Sequence, residues 1–247
     1  VLSWVLAGLA HVPELREKLV FKGGTALKKC YFGEYRFSED LDFSALDGLP
    51  TGDALEDAVR RVCVVASDLL DEYAPVRLLC ERYTERRPHP AGQEAFTIRA
   101  QLPWHRRPQV PVMVEVSVDE PLLWPAVDRA VIHGYGEPLD VRVRTYALEE
   151  ILAEKLRAIL QHVERMERRG WARSRARDYY DLWRVFQDYG ERLQLDGFAS
   201  RLHRKCAVRG VGFDGPGDFF QDAMLRDVRN TWHDWLGALV AELPSFD

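Results

Sequence analysis

The residues with the clearest chemical content lie between Lys22 and Phe43. They are Lys22-Gly23-Gly24-Thr25-Ala26-Leu27 and, further on, Arg36-Phe37-Ser38-Glu39-Asp40-Leu41-Asp42-Phe43. Leu19, Val20 and Phe21 form a short apolar run that predicts a strand end, and a helical pattern follows from Thr25 to Phe32. A strand that turns through glycines into a helix aims backbone N–H groups at an anion. On a strand, Asp40 and Asp42 share one face while Leu41 and Phe43 point to the other. Two carboxylates side by side repel each other, and a divalent cation between them removes the conflict. The stretch therefore reads as a phosphate cradle followed by a metal clamp. A glycine pair alone marks a tight turn, and paired acids alone mark a wet strand edge. The order strand, turn, helix, strand is what joins them into one site. The loop is not of the Walker type, because no Gly-x-x-x-x-Gly-Lys-Ser/Thr occurs.

Three further residues stand out. Glu115 alternates with Val114 and Val116, so it lies on the opposite strand face, beside Met113 and Ser117. A half-exposed strand with one wet side accounts for it as readily as a ligand role does. Lys155 falls inside the helical stripe Leu148, Ile151, Leu152, Leu156 and Ile159. There it either snorkels to the edge or meets a buried anionic partner. Asp178 flanks the stripe Tyr179, Leu182, Trp183, Phe186 and Tyr189, expected to be buried, whereas Asp181 is expected to point well away. Pairing of Asp178 with Lys155 or a nearby arginine is compatible with an active-site role. Arg173, Arg175 and Arg177 have the chemistry to bind a triphosphate or an RNA backbone.

These residues need a scaffold. Leucines and alanines in residues 2–10 predict an apolar helix packed under a sheet. Residues 18–21 and 41–44 predict strands, 54–73 a helix, 76–83 and 95–102 two strands joined by the loop 86–92, and 110–118 another strand. After Asp140 the β-branched runs stop. Helical patterns cover 147–163, 174–189, 198–206 and 218–243. This divides the chain softly near residue 145 into an α/β domain, 1–145, and a helical C-terminal domain, 146–247.

Composition sets outer bounds. The chain has 247 residues, of which 47% are hydrophobic, enough for a real core. Its net charge of −5 is not that of a constitutive nucleic-acid binder. Acids dominate 39–72, however, while arginines cluster at 86–87, 106–107, 165–177 and 201–209, which permits RNA contact on one face. Cys30, Cys63, Cys80 and Cys206 show no C-x-x-C or Cys/His spacing and read as reduced thiols of a cytoplasmic protein. No run approaches the ~20 apolar residues of a membrane span. No internal repeat is found, and no signal-peptide pattern is visible in a chain that opens mid-pattern at Val1.

The Gly23-Gly24-Thr25, helix, Asp40-x-Asp42 order resembles the nucleotidyltransferases of the DNA polymerase β superfamily. More narrowly, Phe21-Lys22-Gly23-Gly24-Thr25-Ala26-Leu27 and Arg36-Phe37-Ser38-Glu39-Asp40-Leu41-Asp42-Phe43 are similar to the AbiEii/AbiGii type of bacterial toxin, which includes the MenT toxins. The likeness is traceable to about residue 190, through Glu154-Lys155-Leu156 and Arg177-Asp178-Tyr179-Tyr180-Asp181-Leu182. The resemblance implies an α/β nucleotidyltransferase fold, a small mixed sheet with helices, followed by a helical C-terminal domain that completes the active site. It implies transfer of a nucleoside monophosphate from an NTP to an RNA, most plausibly a tRNA 3′ end, by a toxin with a cognate antitoxin. It gives Asp40, Asp42 and Glu115 the role of holding Mg2+ or Mn2+. Gly23, Gly24, Thr25, Arg36, Ser38 and Lys155 fall to the nucleotide, and Asp178 to orienting Lys155. Nucleotidylation of a protein or small-molecule hydroxyl, and nucleotide binding without turnover, are the alternative readings.

Overall fold

The computed structural model describes residues 1–83, 93–169 and 174–246. The chain divides into two compact units, Val1–Glu120 with Ala126–Tyr146, and Pro121–Pro125 with Ala147–Asp247.

The first unit is a seven-stranded mixed sheet with helices. Its elements are α1 (Leu2–Ala10), α2 (Pro13–Arg16), β1 (Leu19–Lys22), α3 (Gly23–Ala26), β2 (Leu41–Ala45), α4 (Gly52–Asp71), β3 (Arg77–Arg82), β4 (Gln93–Gln101), β5 (Val110–Ser117), β6 (Val127–Ala130) and β7 (Arg142–Thr145). The strand order is β3-β4-β5-β2-β1-β7-β6, with β2–β5 and β1–β7 parallel and the other pairs antiparallel. Apolar residues of β1, β2, β4 and β5 are buried, as are Leu6, Ala7, Leu55, Ala58, Val62 and Ala66 of α1 and α4, which pack on each other, α4 also on β3 and β4 and α1 on β7; the Phe21 and Phe43 rings lie 5.2 Å apart. Gly8 allows α1 to press against α4: a Cβ there would stand 2.5 Å from the Val62 carbonyl oxygen.

Strand β7 corrects the expectation that strand runs stop after Asp140, and β6 is a strand the sequence reading did not assign. Arg142-Val143-Arg144-Thr145 alternates exposed or half-buried arginines with buried Val143 and Thr145. The arginines mask the strand when composition alone is read. Thr145 pairs with Phe21, and the Thr145 hydroxyl donates to the Phe21 carbonyl at 2.8 Å.

The second unit holds α5 (Leu148–Arg169), α6 (Ala176–Tyr189), α7 (Phe198–Ala207) and α8 (Asp222–Leu236). The last helix is shorter than the expected 218–243, because Pro216–Phe219 forms a separate 3-10 turn ahead of it. The segment 121–125 is fastened here by one buried carboxylate. Glu150 Oε2 accepts the N–H groups of Leu123 and Trp124, both at 2.8 Å, while Glu150 Oε1 pairs with buried Lys205. Both oxygens of that carboxylate are partnered, which is the condition for burying it.

Candidate active site

The site in the first unit is built around the end of β1. Gly23 has φ +77°, a conformation that favours glycine. Its Cα lies so close to Asp42 that an added Cβ would stand 2.5 Å from Asp42 Oδ2. The chain then enters α3 and runs on as a π-helical turn, Leu27–Tyr31. The first N–H groups of a helical stretch lack intrahelical partners. Such π-turns are frequent at functional sites. Buried Arg36 folds back over Gly24, where a Cβ would stand 3.0 Å from Arg36 Cζ. The hydroxyls of Thr25 and Ser38 are 2.8 Å apart. The structure thus brings together Gly23, Gly24, Thr25, Arg36, Ser38 and Asp42. The absence of a side chain at the two glycines is what lets the Asp42 carboxylate and the Arg36 guanidinium close on this turn.

Register supplies the acid pair. Asp42 of β2 lies directly beside Glu115 of β5, and Lys22 of β1 lies on the other side of Asp42. The three residues therefore share one sheet face. Asp40 precedes β2 and is exposed. Among the described residues no group of three or more carboxylate, imidazole or thiol side chains forms a ready-made cage for a metal. The adjacent carboxylates of Asp42 and Glu115 have the chemistry for Mg2+, which takes one or two protein carboxylates and completes its shell with water and substrate phosphates.

Lys22 is the residue that the motif reading passed over. It is buried, its ammonium donates to Ser117 Oγ at 3.1 Å, and it pairs with Glu120 Oε2 at 2.6 Å. The signal was a lysine closing the apolar run Leu19-Val20-Phe21, since a lysine inside a buried strand needs an anion.

In the second unit Lys155 is buried and does not snorkel. Its ammonium lies 2.6 Å from Asp181 Oδ2 and 3.1 Å from Asp178 Oδ1, and Asp178 Oδ2 takes Arg175 at 3.2 Å. Asp181 thus corrects the expectation that it points away, for its side chain is 0% exposed. The expected α6 stripe is shifted in phase as well. The buried residues are Ala176, Tyr180, Asp181, Leu182 and Val185, while Trp183 and Phe186 are exposed. Reading the phase from aromatic residues alone misplaces the face, because a charge can be buried where a partner waits. Tyr179 donates to the Phe219 carbonyl at 2.6 Å, and burial, with Asp178 next, raises its pKa. Arg177 lies over the Trp235 ring at 5.6 Å. Arg173 and the arginines at 86–87 lie outside the described residues. Cys30, Cys63, Cys80 and Cys206 are free thiols, and no helix among the described residues is long and apolar enough to cross a membrane.

Comparison with known proteins places this geometry. A family model described as "Nucleotidyl transferase AbiEii toxin, Type IV TA system" matches residues 4–247. No curated protein matches the chain. Among solved structures, JHP933 from Helicobacter pylori has the same fold, with a TM-score of 0.58 at 22% identity over 99% of this chain and 82% of that one.

Proposed function

The chain belongs to the AbiEii family of nucleotidyl transferase toxins of type IV toxin–antitoxin systems, and we propose that it transfers a nucleoside monophosphate from an NTP to an RNA hydroxyl. A tRNA 3′ end is the acceptor this reading favours, and a cognate antitoxin is the partner. The observation that carries the proposal is the glycine turn against Asp42, with Arg36 and the Thr25–Ser38 hydroxyl pair beside it and Glu115 on the next strand.

In this reading the acceptor oxygen forms a bond to the α-phosphorus. The bond from that phosphorus to the β-phosphate bridging oxygen breaks, the hydroxyl proton passes to solvent, and pyrophosphate leaves. Gly23 and Gly24 offer backbone N–H groups and Thr25 a hydroxyl to the phosphates, and Arg36 adds charge-assisted donors. We assign Lys155 to neutralising phosphate charge and Asp178 to orienting its ammonium. Asp40, Asp42 and Glu115 are the residues that would hold Mg2+ or Mn2+, and such an ion supplies Lewis-acid stabilisation of charge at phosphorus.

The test is incubation with each α-labelled NTP and total RNA, in Mg2+ and in EDTA, for the natural chain and Asp42→Asn. The expected result is label on RNA that disappears with either change. Label on protein, or NTP binding with no transfer, overturns the RNA-acceptor reading.

A further inference from the structure

The first unit contains a cavity of about 710 Å³ that the glycine turn does not explain. That volume is within the range of small-ligand sites. Four aromatic side chains line it and remain open to solvent: Trp104 and Tyr135, each 75% exposed, with Phe37 and Tyr73. Solvent-facing rings around a cavity are unusual unless something covers them.

Two polar groups in its wall point to what that is. His133 is held beside the helical stretch by the Ile132 N–H, which donates to the Lys29 carbonyl at 2.7 Å. Its side chain is only 9% exposed, set between Trp4 at 5.6 Å and Tyr135 at 5.3 Å. Neither ring nitrogen has a hydrogen-bond partner among the described residues. The Glu137 carboxylate, 3.6 Å from Nε2, is beyond hydrogen-bond reach. Burial and then the charge of Lys29 lower the His133 pKa, so at neutral pH the ring offers one donor and one acceptor. Lys28, half-buried in the same wall, has its ammonium 4.9 Å from the Phe37 ring centroid. Among the described residues it has no ion-pair partner, and burial and neighbouring Arg36 lower its pKa. A cation crowded by a second cation is a place for an anion.

Flat rings, a donor–acceptor edge and an unneutralised ammonium are together complementary to one ligand class. We infer that the cavity binds an unpaired nucleotide, its base against Trp104 and Tyr135 with an edge on His133, and a phosphate on Lys28. Base–aromatic stacking with a basic wall is how single strands are held without sequence reading. Ser38 lines the cavity and also contacts Thr25, so the pocket borders the phosphate cradle. Assigning its occupant to the acceptor strand rests on the proposed function; binding of a nucleotide does not.

The experiment separates the two. A fluorescein-labelled single-stranded pentaribonucleotide is titrated with the full natural chain in EDTA, where no transfer occurs, and AMP is used as competitor. The expected result is binding that weakens tenfold or more in Trp104→Ala and in Lys28→Met, both at solvent-open or half-buried positions, with melting temperatures unchanged. Asp42→Asn is expected to bind within threefold of the natural chain. Competition by AMP at a comparable dissociation constant identifies a free-nucleotide site, and failure of AMP to compete identifies a strand site. No binding of either probe, or equal binding by the natural chain, Trp104→Ala and Lys28→Met, overturns the inference. Loss of transfer with binding intact, by contrast, counts against the transferase reading alone.

Discussion

Lys155→Met separates packing from electrostatics in the second unit. The ammonium sits 2.6 Å from Asp181, whose side chain is fully buried, and 3.1 Å from Asp178, whose side chain is 18% exposed. Removing one partner of a buried ion pair costs about 3–5 kcal/mol, because the remaining charge has lost its solvent and its counter-ion together. Asp181 keeps other contacts, so the lower end, about 3 kcal/mol, applies. For a chain of this size each kcal/mol moves the melting temperature by about 2–4 °C, and the expected fall is about 6–12 °C. Asp178 keeps Arg175 at 3.2 Å and some water, so Asp178→Asn is expected to cost only about 1 kcal/mol. Adding Asp181→Asn to Lys155→Met removes the stranded charge and should restore at least half of the lost stability, a non-additivity expected of residues in contact. Thermal melts of the two single variants at Lys155 and Asp181, the double variant and Asp178→Asn decide the matter. If Lys155→Met melts within about 2 °C of the natural chain, the lysine is not the counter-ion of Asp181 and the reasoning fails. Transfer rates measured alongside are expected to drop tenfold or more in Lys155→Met, on about 1.5–3 kcal/mol for a hydrogen bond to a charged group.

Other expectations follow from the first unit. Gly23→Ala places a methyl group against Asp42 Oδ2 at a residue with φ +77°. It should cost more than the ~1 kcal/mol of an ordinary glycine change and lower NTP affinity, and a variant that melts and binds NTP like the natural chain would count against the close-approach argument. Ser38→Glu sets a carboxylate where Ser38 meets Thr25, so like-charge repulsion should weaken NTP binding at least tenfold by calorimetry, whereas Ser38→Ala loses one hydrogen bond worth about 0.5–1.5 kcal/mol. Equal binding by both variants would return this serine to an ordinary turn role. His133 carries a pH signature. Its folded pKa lies below the ordinary 6.5, mainly through burial. The unfolded chain therefore binds the proton more readily, and stability present above 6.5 is lost as pH falls through 6.5 towards the folded value. Melting curves of the natural chain and His133→Asn between pH 7.5 and 5 should converge at the acid end, and parallel curves would refute the assignment.

Much of the first site was legible because it depends on neighbours in sequence. Gly23, Gly24 and Thr25 follow an apolar strand directly, and Asp42 alternates with Leu41 and Phe43, so strand period alone separates the acid from the core. Glu115 was legible only in part. Its strand and face follow from Val114 and Val116, but that β5 lies beside β2 with Glu115 next to Asp42 is a matter of sheet register, which depends on pairing between segments far apart in the chain. The same holds for Lys22, whose partners Ser117 and Glu120 arrive from residues almost a hundred positions away. Strand β7 hid behind its arginines, because a short strand with one charged face has little hydrophobic signal. For α6 the sequence pointed to the aromatic stripe, with Asp181 turned away, and the structure buries the stripe that carries Asp181. Burying a carboxylate is costly in isolation. Only the fold brings Lys155 to within 2.6 Å of Asp181, and that contact removes the cost and decides which face of the helix turns inward.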